Sequence, residues 1–542
     1  PTNMGLALLA NLSAYDFGYV SAGQLIERTR NAFATMHMLE RHRGHFYNWY
    51  DTQSLQPLLP HYVSTVDSGN LAGHLLTLRP GLATLADRNI LAARWLDGLD
   101  DTFKALLDAA PQIASGALLR FQQDLESALA DRPSTLPAAR RVLDRLAADA
   151  AQLVSGLGKD SNSEPDDWAR ALDRQCRDVL DELTLLAPSS EMPDMDGMPT
   201  LRELAAQGVP SARARMEEIA QLALQAGEMA RMDYDFLYDE VRHLLVIGYN
   251  VTERRRGYDV TERRRDASYY DLLASEARLA VFVAIAQGQL PQQSWFALGR
   301  LLINAGSGPT LLSWSGSMFE YLMPLLVMPA YGNTLLDKSC RAAVRRQIEY
   351  GAQRGVPWGM SESGYNTVDA ALNYQYRAFG VPGLGLQRGL SEDLVIAPYA
   401  TALALMVEPE EACENLQRLA AEGILGKFGF YEAIDYTPAR LRRAETRAVV
   451  RSFMAHHQGM SLLSLAHLLL DRPMQRRFVS DPLFQATLLL LQERIPKANA
   501  LYLNHPERVD SRAAAETLEM PMRVFSTPDT RIPGVQLLSN GR

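Results

Sequence analysis

Apolar positions recur along most of this chain at helical rather than strand spacing. Residues 1–42 predict two helices. MGLALLANLSAYDFGYVS carries Gly18 near its end, and AGQLIERTRNAFATMHMLERHR aligns Leu25, Arg28, Ala32, Met36 and Leu39 on one face. From Gly73 to about Gly156 the chain is rich in Ala and Leu with frequent charges, which predicts plain helical scaffold. The solvated stretches KDSNSEPDD and LAPSSEMPDMDGMPT interrupt it, and helix resumes from about Leu201 to Leu245. DASYYDLLASEARLAVFVAIAQGQL reads as one helix capped by Asp266 or Ser268. Helices are also expected at 334–354, at 410–422 ending on Gly423, and from RSFMAHHQGM onward. Ser68 or Asp67 is the expected cap of a helix beginning near Asn70.

The connecting loops are of two kinds, some short and plain, others crowded with Trp, Tyr, Asp, Glu and His. The crowded ones recur at 44–70, 306–320, 356–376, 427–437 and 452–460. That recurrence suits a closed ring of helical hairpins whose rich loops open on one face. The predicted fold is all-α, an (α/α)6 toroid over 1–475 with a helical insertion at about 75–235. Residues 476–542 are expected to form a helical segment and a linker toward a following domain, and both ends read as cuts from a longer chain.

With 54 Lys and Arg against 63 Asp and Glu, the net charge is −9, which disfavours a nucleic-acid binder. A neutral substrate such as a glucan fits that surface without strain. Cys176, Cys340 and Cys413 lie far apart with no metal-binding spacing, so buried reduced thiols are expected, and no metal or cofactor. No apolar run is long enough to cross a membrane, and no leader opens the chain. The glycines of FGVPGLGLQRGL lack the spacing and the preceding strand of a phosphate loop. GYNVTERRR and GYDVTERRR, at 248–265, are a tandem duplication expected on a surface loop, and its six arginines would make a local basic patch.

Candidate chemistry gathers in three stretches. Glu362 sits in WGMSESGYN between two serines and two glycines, among Trp358, Tyr365 and Tyr376. Such a turn can be a capped helix start, or a carboxylate set among rings that stack on sugar faces. GFYEAIDY repeats the combination with Glu432 and Tyr431, and Glu320 follows Trp314 in SWSGSMFEY, where it would also suit a helix N-terminus. His456 and its neighbour His457 diverge by about 100° on a helix, so they cannot serve one metal together.

Seven motifs in order, RGHFYNWYDT, VSTVDSGNLAGHL, DASYYDLLASEARL, PWGMSESGYN, YQYRAFGVPGLGLQRGL, GFYEAIDYTP and MAHHQGMS, resemble the glycoamylase-like central domain of bacterial cyclic β-1,2-glucan synthases. The resemblance covers about 1–75 and 235–475. It implies a transglycosylase that cyclises linear β-1,2-glucan with retention, through a glycosyl-enzyme. Glu362 and Glu432 are the implied catalytic pair, with Glu362 the acid/base and Glu432 the nucleophile, and Glu320 is the reserve. Trp49, Tyr50, Asp67, Trp314, Trp358, Tyr365, Tyr376, Tyr431, His456 and Gln458 are the implied substrate contacts. The implied partners are linear β-1,2-glucan and the glycosyltransferase and phosphorylase-like domains of a larger synthase, on the cytoplasmic side of an inner membrane. An inverting endo-β-1,2-glucanase and a non-catalytic glucan-holding module are the competing readings.

Overall fold

The computed structural model describes residues 1–110, 116–156, 163–188, 197–254, 261–304 and 308–495, with backbone alone at 252–254 and 261–264. Six helices form an inner ring: Thr2–Phe17, Thr65–Ala83, Ala277–Ala286, Met318–Leu322, Pro398–Ala404 and Ala455–Leu469. The first packs on the second, the second on the third, the fourth on the fifth, the fifth on the sixth, and the sixth back on the first. Arg278 makes the remaining joint. Its buried guanidinium donates to Glu320 O at 2.8 Å and Tyr321 O at 2.5 Å. An outer helix follows each inner one in the chain: Ala22–Met38, Pro210–Met229, Gln293–Ala297, Leu335–Arg354, Pro409–Ala421 and Pro473–Ser480. The expected all-α (α/α)6 barrel is the observed fold.

Local chemistry sets the helix ends. Gly18 closes the first helix at φ 84, and a Cβ there would lie 2.1 Å from Arg94 O, so a glycine is required. Ser21 and Thr334 accept from the third backbone N–H beyond them and start two outer helices. The cap of Thr65–Ala83 is Ser64, not Ser68 or Asp67, so that helix starts earlier than expected. It is buried on nearly every face, at the centre of the core. A Cβ on Gly69 would lie 2.1 Å from Ala280 Cβ, and that close approach places Asn70 beside the start of the third inner helix.

Two expectations shift. Thr65–Ala83 and Pro210–Met229 are ring helices, so the helices packed largely on one another outside the ring lie within Trp95–Ala206, a narrower span than 75–235. Asp266–Glu276 is not helical. Residues 266–272 bridge neighbouring strands and loops, with Ile247 N donating to Ser268 O, Tyr270 N to Leu245 O and Leu273 N to Gly299 O, residues 273–276 then bend, and the helix begins only at Ala277. The described part of the duplicated stretch is paired strand, while residues 255–260 and the arginine side chains expected to make a basic patch, apart from Arg265, lie outside the described residues. Gly248–Arg254 from the first copy pairs with Thr261–Arg265 from the second, and on its other edge with Tyr62–Ser64. Among the described residues no helix is long and apolar enough to cross a membrane.

Candidate active site

Glu362 is fixed by its own backbone. Gln347, on the outer helix before it, clamps Met360 with bonds to its N–H and C=O, both 2.8 Å. Phe319 N donates to Ser361 Oγ at 3.0 Å, and Tyr399 OH donates to Ser361 Oγ at 2.8 Å and contacts Glu362 O at 2.9 Å. The chain then enters strand Ser363–Val368, paired with Tyr374–Arg377 so that Gly364 faces Tyr376. Glu362 therefore projects from a pinned turn into a cavity of about 560 Å³.

Glu276, Glu320, Tyr269, Tyr270, Asp271 and Trp314 line the same cavity. Glu276 is the N-cap residue of the third inner helix, and Asn70 Nδ2 donates to its Oε2 at 3.0 Å. Burial first, then the charges of Glu362 and Asp67, hold the Glu276 carboxyl well above the ordinary range. Glu362 is pushed up to about 7 by burial first, then by Glu320 and Asp67, while a hydrogen bond from Tyr376 works the other way. Asp67 accepts from Thr2 Oγ1 at 2.6 Å. Two buried carboxyls on one cavity, both raised by burial and by neighbouring negative charge, can divide the roles of proton donor and carboxylate between them.

The other sequence candidates stand differently. Glu432 does not line the cavity. It is buried with Oε1 accepting from Gly364 N and Oε2 meeting His457 Nδ1, both at 3.0 Å. Glu320 lines the cavity, but its carboxylate accepts from Ser313 Oγ (2.9 Å), Trp314 N (3.0 Å), Ser315 N (3.1 Å) and Ser317 N (3.2 Å), closing a capping box.

Of the expected substrate contacts, Trp314 lines the cavity with its ring 62% exposed, and Tyr376 reaches Glu362. His456 packs against Tyr376 and is pushed down to about 3 by burial, with His457 acting the same way and Asp67 opposing. The others lie outside the lining. Trp49 is exposed elsewhere, and Tyr50 OH donates to Glu40 O at 2.6 Å while accepting from Tyr47 N. Trp358 is buried, with backbone bonds to Asn415 and Thr401. Tyr365 lies on Phe379 and under Arg440, which pairs with Asp435. Tyr431 packs on Phe453, and Gln458 Nε2 donates to Phe430 O at 3.0 Å.

Sequence reasoning missed Glu276, Tyr269, Tyr270 and Tyr399. The signal for the first three was present, because two tyrosines beside Asp271 is an odd composition for a helix that must bury a plain apolar stripe. Among the described residues no three or more His, Cys, Asp or Glu side chains are arranged to hold a metal ion.

Residues 268–482 match the Glycoamylase family, described as "Putative glucoamylase". Over its whole length the chain is 37% identical to the cyclic beta-(1,2)-glucan synthase NdvB of Rhizobium meliloti, of which it spans 19%. A crystal structure of a "putative glucoamylase" from Bacteroides fragilis superposes with TM-score 0.51 at 14% identity, over 92% of this chain and 87% of that one, a likeness of fold. A "putative glucoamylase" from Bacteroides caccae gives 0.48 at 13% identity, over 91% and 88%.

Proposed function

We propose that this chain is the glucan-cyclising segment of a larger synthase, a transglycosylase that closes linear β-1,2-glucan into rings with retention of configuration. Glu276 serves as acid/base and Glu362 as nucleophile. The observation that carries the assignment is that these two carboxyls alone among the sequence and cavity candidates combine a place on one ring-lined cavity, an upward shift led by burial and oxygens not consumed by backbone caps. Similarity along the full chain to a cyclic β-(1,2)-glucan synthase supports the choice of substrate.

In this reading Glu276 enters protonated and Glu362 ionised. Glu362 attacks C1, the glycosidic bond breaks, and Glu276 gives its proton to the leaving oxygen. Glu276, now a carboxylate, takes the proton of the chain's own non-reducing hydroxyl, which attacks C1 and expels Glu362. Retention by this route calls for the two carboxyls to stand roughly 5–5.5 Å apart across the bound sugar. Ring closure beats hydrolysis when the acceptor hydroxyl is held at C1 and water is kept out, and Trp314, Tyr269 and Tyr270 supply walls for that. The glycosyltransferase and phosphorylase-like domains of the synthase would make and trim the linear glucan, and a position on the cytoplasmic side of the inner membrane completes the proposal.

The test is to incubate the chain with linear β-1,2-glucan and resolve the products by mass. Cyclic material lost in Glu276→Gln and in Glu362→Gln is the expected result. Rising reducing ends with no cyclic product would make the chain an endo-hydrolase. Unchanged cyclic product from both variants of the chain would overturn the assignment of the two carboxyls, whereas no product from the chain itself and unchanged product from the parent synthase carrying both changes would leave it a glucan-holding module.

A further inference from the structure

Glu432 and His457 lie outside the cavity, yet they form a buried ionisable pair that the reaction as proposed does not use. His457 is 1% exposed and stacks on Tyr399 with centroids 3.6 Å apart and planes 8° from parallel. Its Nδ1 meets Glu432 Oε2 at 3.0 Å, and its Nε2 meets Tyr376 OH at 3.3 Å. Tyr376 stands across the hairpin from Gly364, two residues after Glu362 in the chain, and its hydroxyl is the neighbour that favours ionised Glu362. The four groups make one chain, Glu432–His457–Tyr376–Glu362, ending on the candidate nucleophile. Gly364 braces its far end. It donates to Glu432 Oε1 at 3.0 Å and faces Tyr376 in the strand register, so one hairpin positions both ends.

The donors have to be counted. A tyrosine hydroxyl has one proton, and a neutral imidazole has one N–H. If neutral His457 donates from Nδ1 to Glu432, its Nε2 accepts, and the Tyr376 proton is drawn away from Glu362. If His457 carries both protons, Nδ1 donates to Glu432 and Nε2 donates to the Tyr376 oxygen. The Tyr376 proton is then left for Glu362. We infer that Glu432 and His457 are positioning residues: with an N–H of His457 Nε2 directed to the Tyr376 oxygen, they aim the Tyr376 hydroxyl at Glu362 as a donor.

This rests on Glu362 being the nucleophile, and it explains why a second carboxylate with rings lies so near the cavity without lining it. The donor bond favours the ionised carboxylate, so it readies Glu362 before attack. It also stabilises the same carboxylate when C1–O cleavage returns the electron pair to it in the second step. Other groups face these two and stay constant in the test: Asp67, Glu276, Glu320, Tyr270 and Tyr399 around Glu362, and His456 and Tyr399 around His457.

The experiment measures kcat/KM against pH for cyclisation by the full chain carrying Tyr376→Phe, His457→Gln, Glu432→Gln, or Tyr376→Phe with Glu432→Gln. Thermal melting and glucan binding serve as fold controls. Tyr376 is partly exposed, so Tyr376→Phe should fold whatever befalls the buried pair. Each single variant is expected to lose about 10- to 100-fold in kcat/KM, the range for one hydrogen bond to a charged group, chiefly in kcat. Each should move the acid limb to higher pH, and the double variant should lose no more than Tyr376→Phe alone. The direction is diagnostic, because simple removal of the Glu432 charge would ease ionisation of Glu362 and move that limb down. A limb that stays or falls in Glu432→Gln, or additive losses in the double variant, overturns the inference. If Glu362→Gln itself retains cyclisation, the functional reading fails first, and that result is separable from these.

Discussion

Glu320 offers a sharp prediction, because its carboxylate is both close to the chemistry and fully committed to the backbone. Replacing it by alanine strands Ser315 N and Ser317 N, buried donors whose acceptor is this carboxylate. Two unpaired buried donors cost about 1–3 kcal/mol each. Loss of the capping arrangement adds about 1 kcal/mol. The total, about 3–7 kcal/mol, is a large part of the roughly 5–15 kcal/mol that holds a typical domain. Glu320→Gln keeps one acceptor oxygen but turns an amide toward donors, so it should lose less. Urea unfolding followed by tryptophan fluorescence would show the midpoint falling steeply for Glu320→Ala and modestly for Glu320→Gln. Folded Glu320→Gln should still cyclise glucan. Because the Glu320 charge helps raise Glu362, its removal should move the acid limb of activity to lower pH, opposite to Tyr376→Phe. A Glu320→Gln protein that unfolds at the wild-type midpoint yet loses activity by more than about a thousandfold, the range of a missing general acid or base, would refute this reasoning and restore Glu320 as a catalytic group.

The raised carboxyls also set pH behaviour. Glu362 must be ionised to attack, so kcat/KM should fall as pH drops through about 7, and a profile flat from pH 5 to 8 would contradict the assignment. A carboxyl raised in the fold holds a proton that the unfolded chain has already lost. Its stabilising effect is therefore present at low pH and fades as pH rises through the folded value. Glu276→Gln and Glu362→Gln should accordingly melt a few degrees higher than wild type at pH 8, with the gain shrinking by pH 5, as calorimetry would show. Trp314→Ala should raise KM about 2- to 10-fold with little change in kcat, if the exposed ring grips sugar as aromatic packing normally does. Arg440→Ala removes the partner of the fully buried Asp435 and should destabilise by about 3–5 kcal/mol in urea titrations.

The barrel was legible because its helices announce themselves by apolar spacing and by their ends, as at Gly18 and Thr334. The boundaries of the insertion were not, since Thr65–Ala83 and Pro210–Met229 have the same Ala- and Leu-rich texture as the helices between them. Within the site, Glu362 stood out through its glycines and rings. Those rings mislead, because Trp358 turns into the core and Tyr365 toward Arg440, leaving Tyr376 from the opposite strand to meet the carboxylate. Glu276 was hidden by a favourable helical pattern. Periodicity cannot tell that Ile247 and Leu245 bond to Ser268 and Tyr270 and hold that stretch out of a helix, which begins only at Ala277 with its cap residue Glu276 on the cavity. Glu432 has the same composition around it as Glu362 yet stands outside the cavity, because sequence does not reveal that Gly364 and His457 bind its two oxygens.

The most direct measurement is a covalent trap. Glu276→Gln reacted with an aryl glycoside of a β-1,2-linked glucose disaccharide needs no acid to form the glycosyl-enzyme, but lacks the base that resolves it. Acid quench and peptide mapping should find one disaccharide per chain on the peptide carrying Glu362. An adduct on Glu432 or Glu320 instead, or turnover of the glycoside with inverted product and no adduct, would contradict the account.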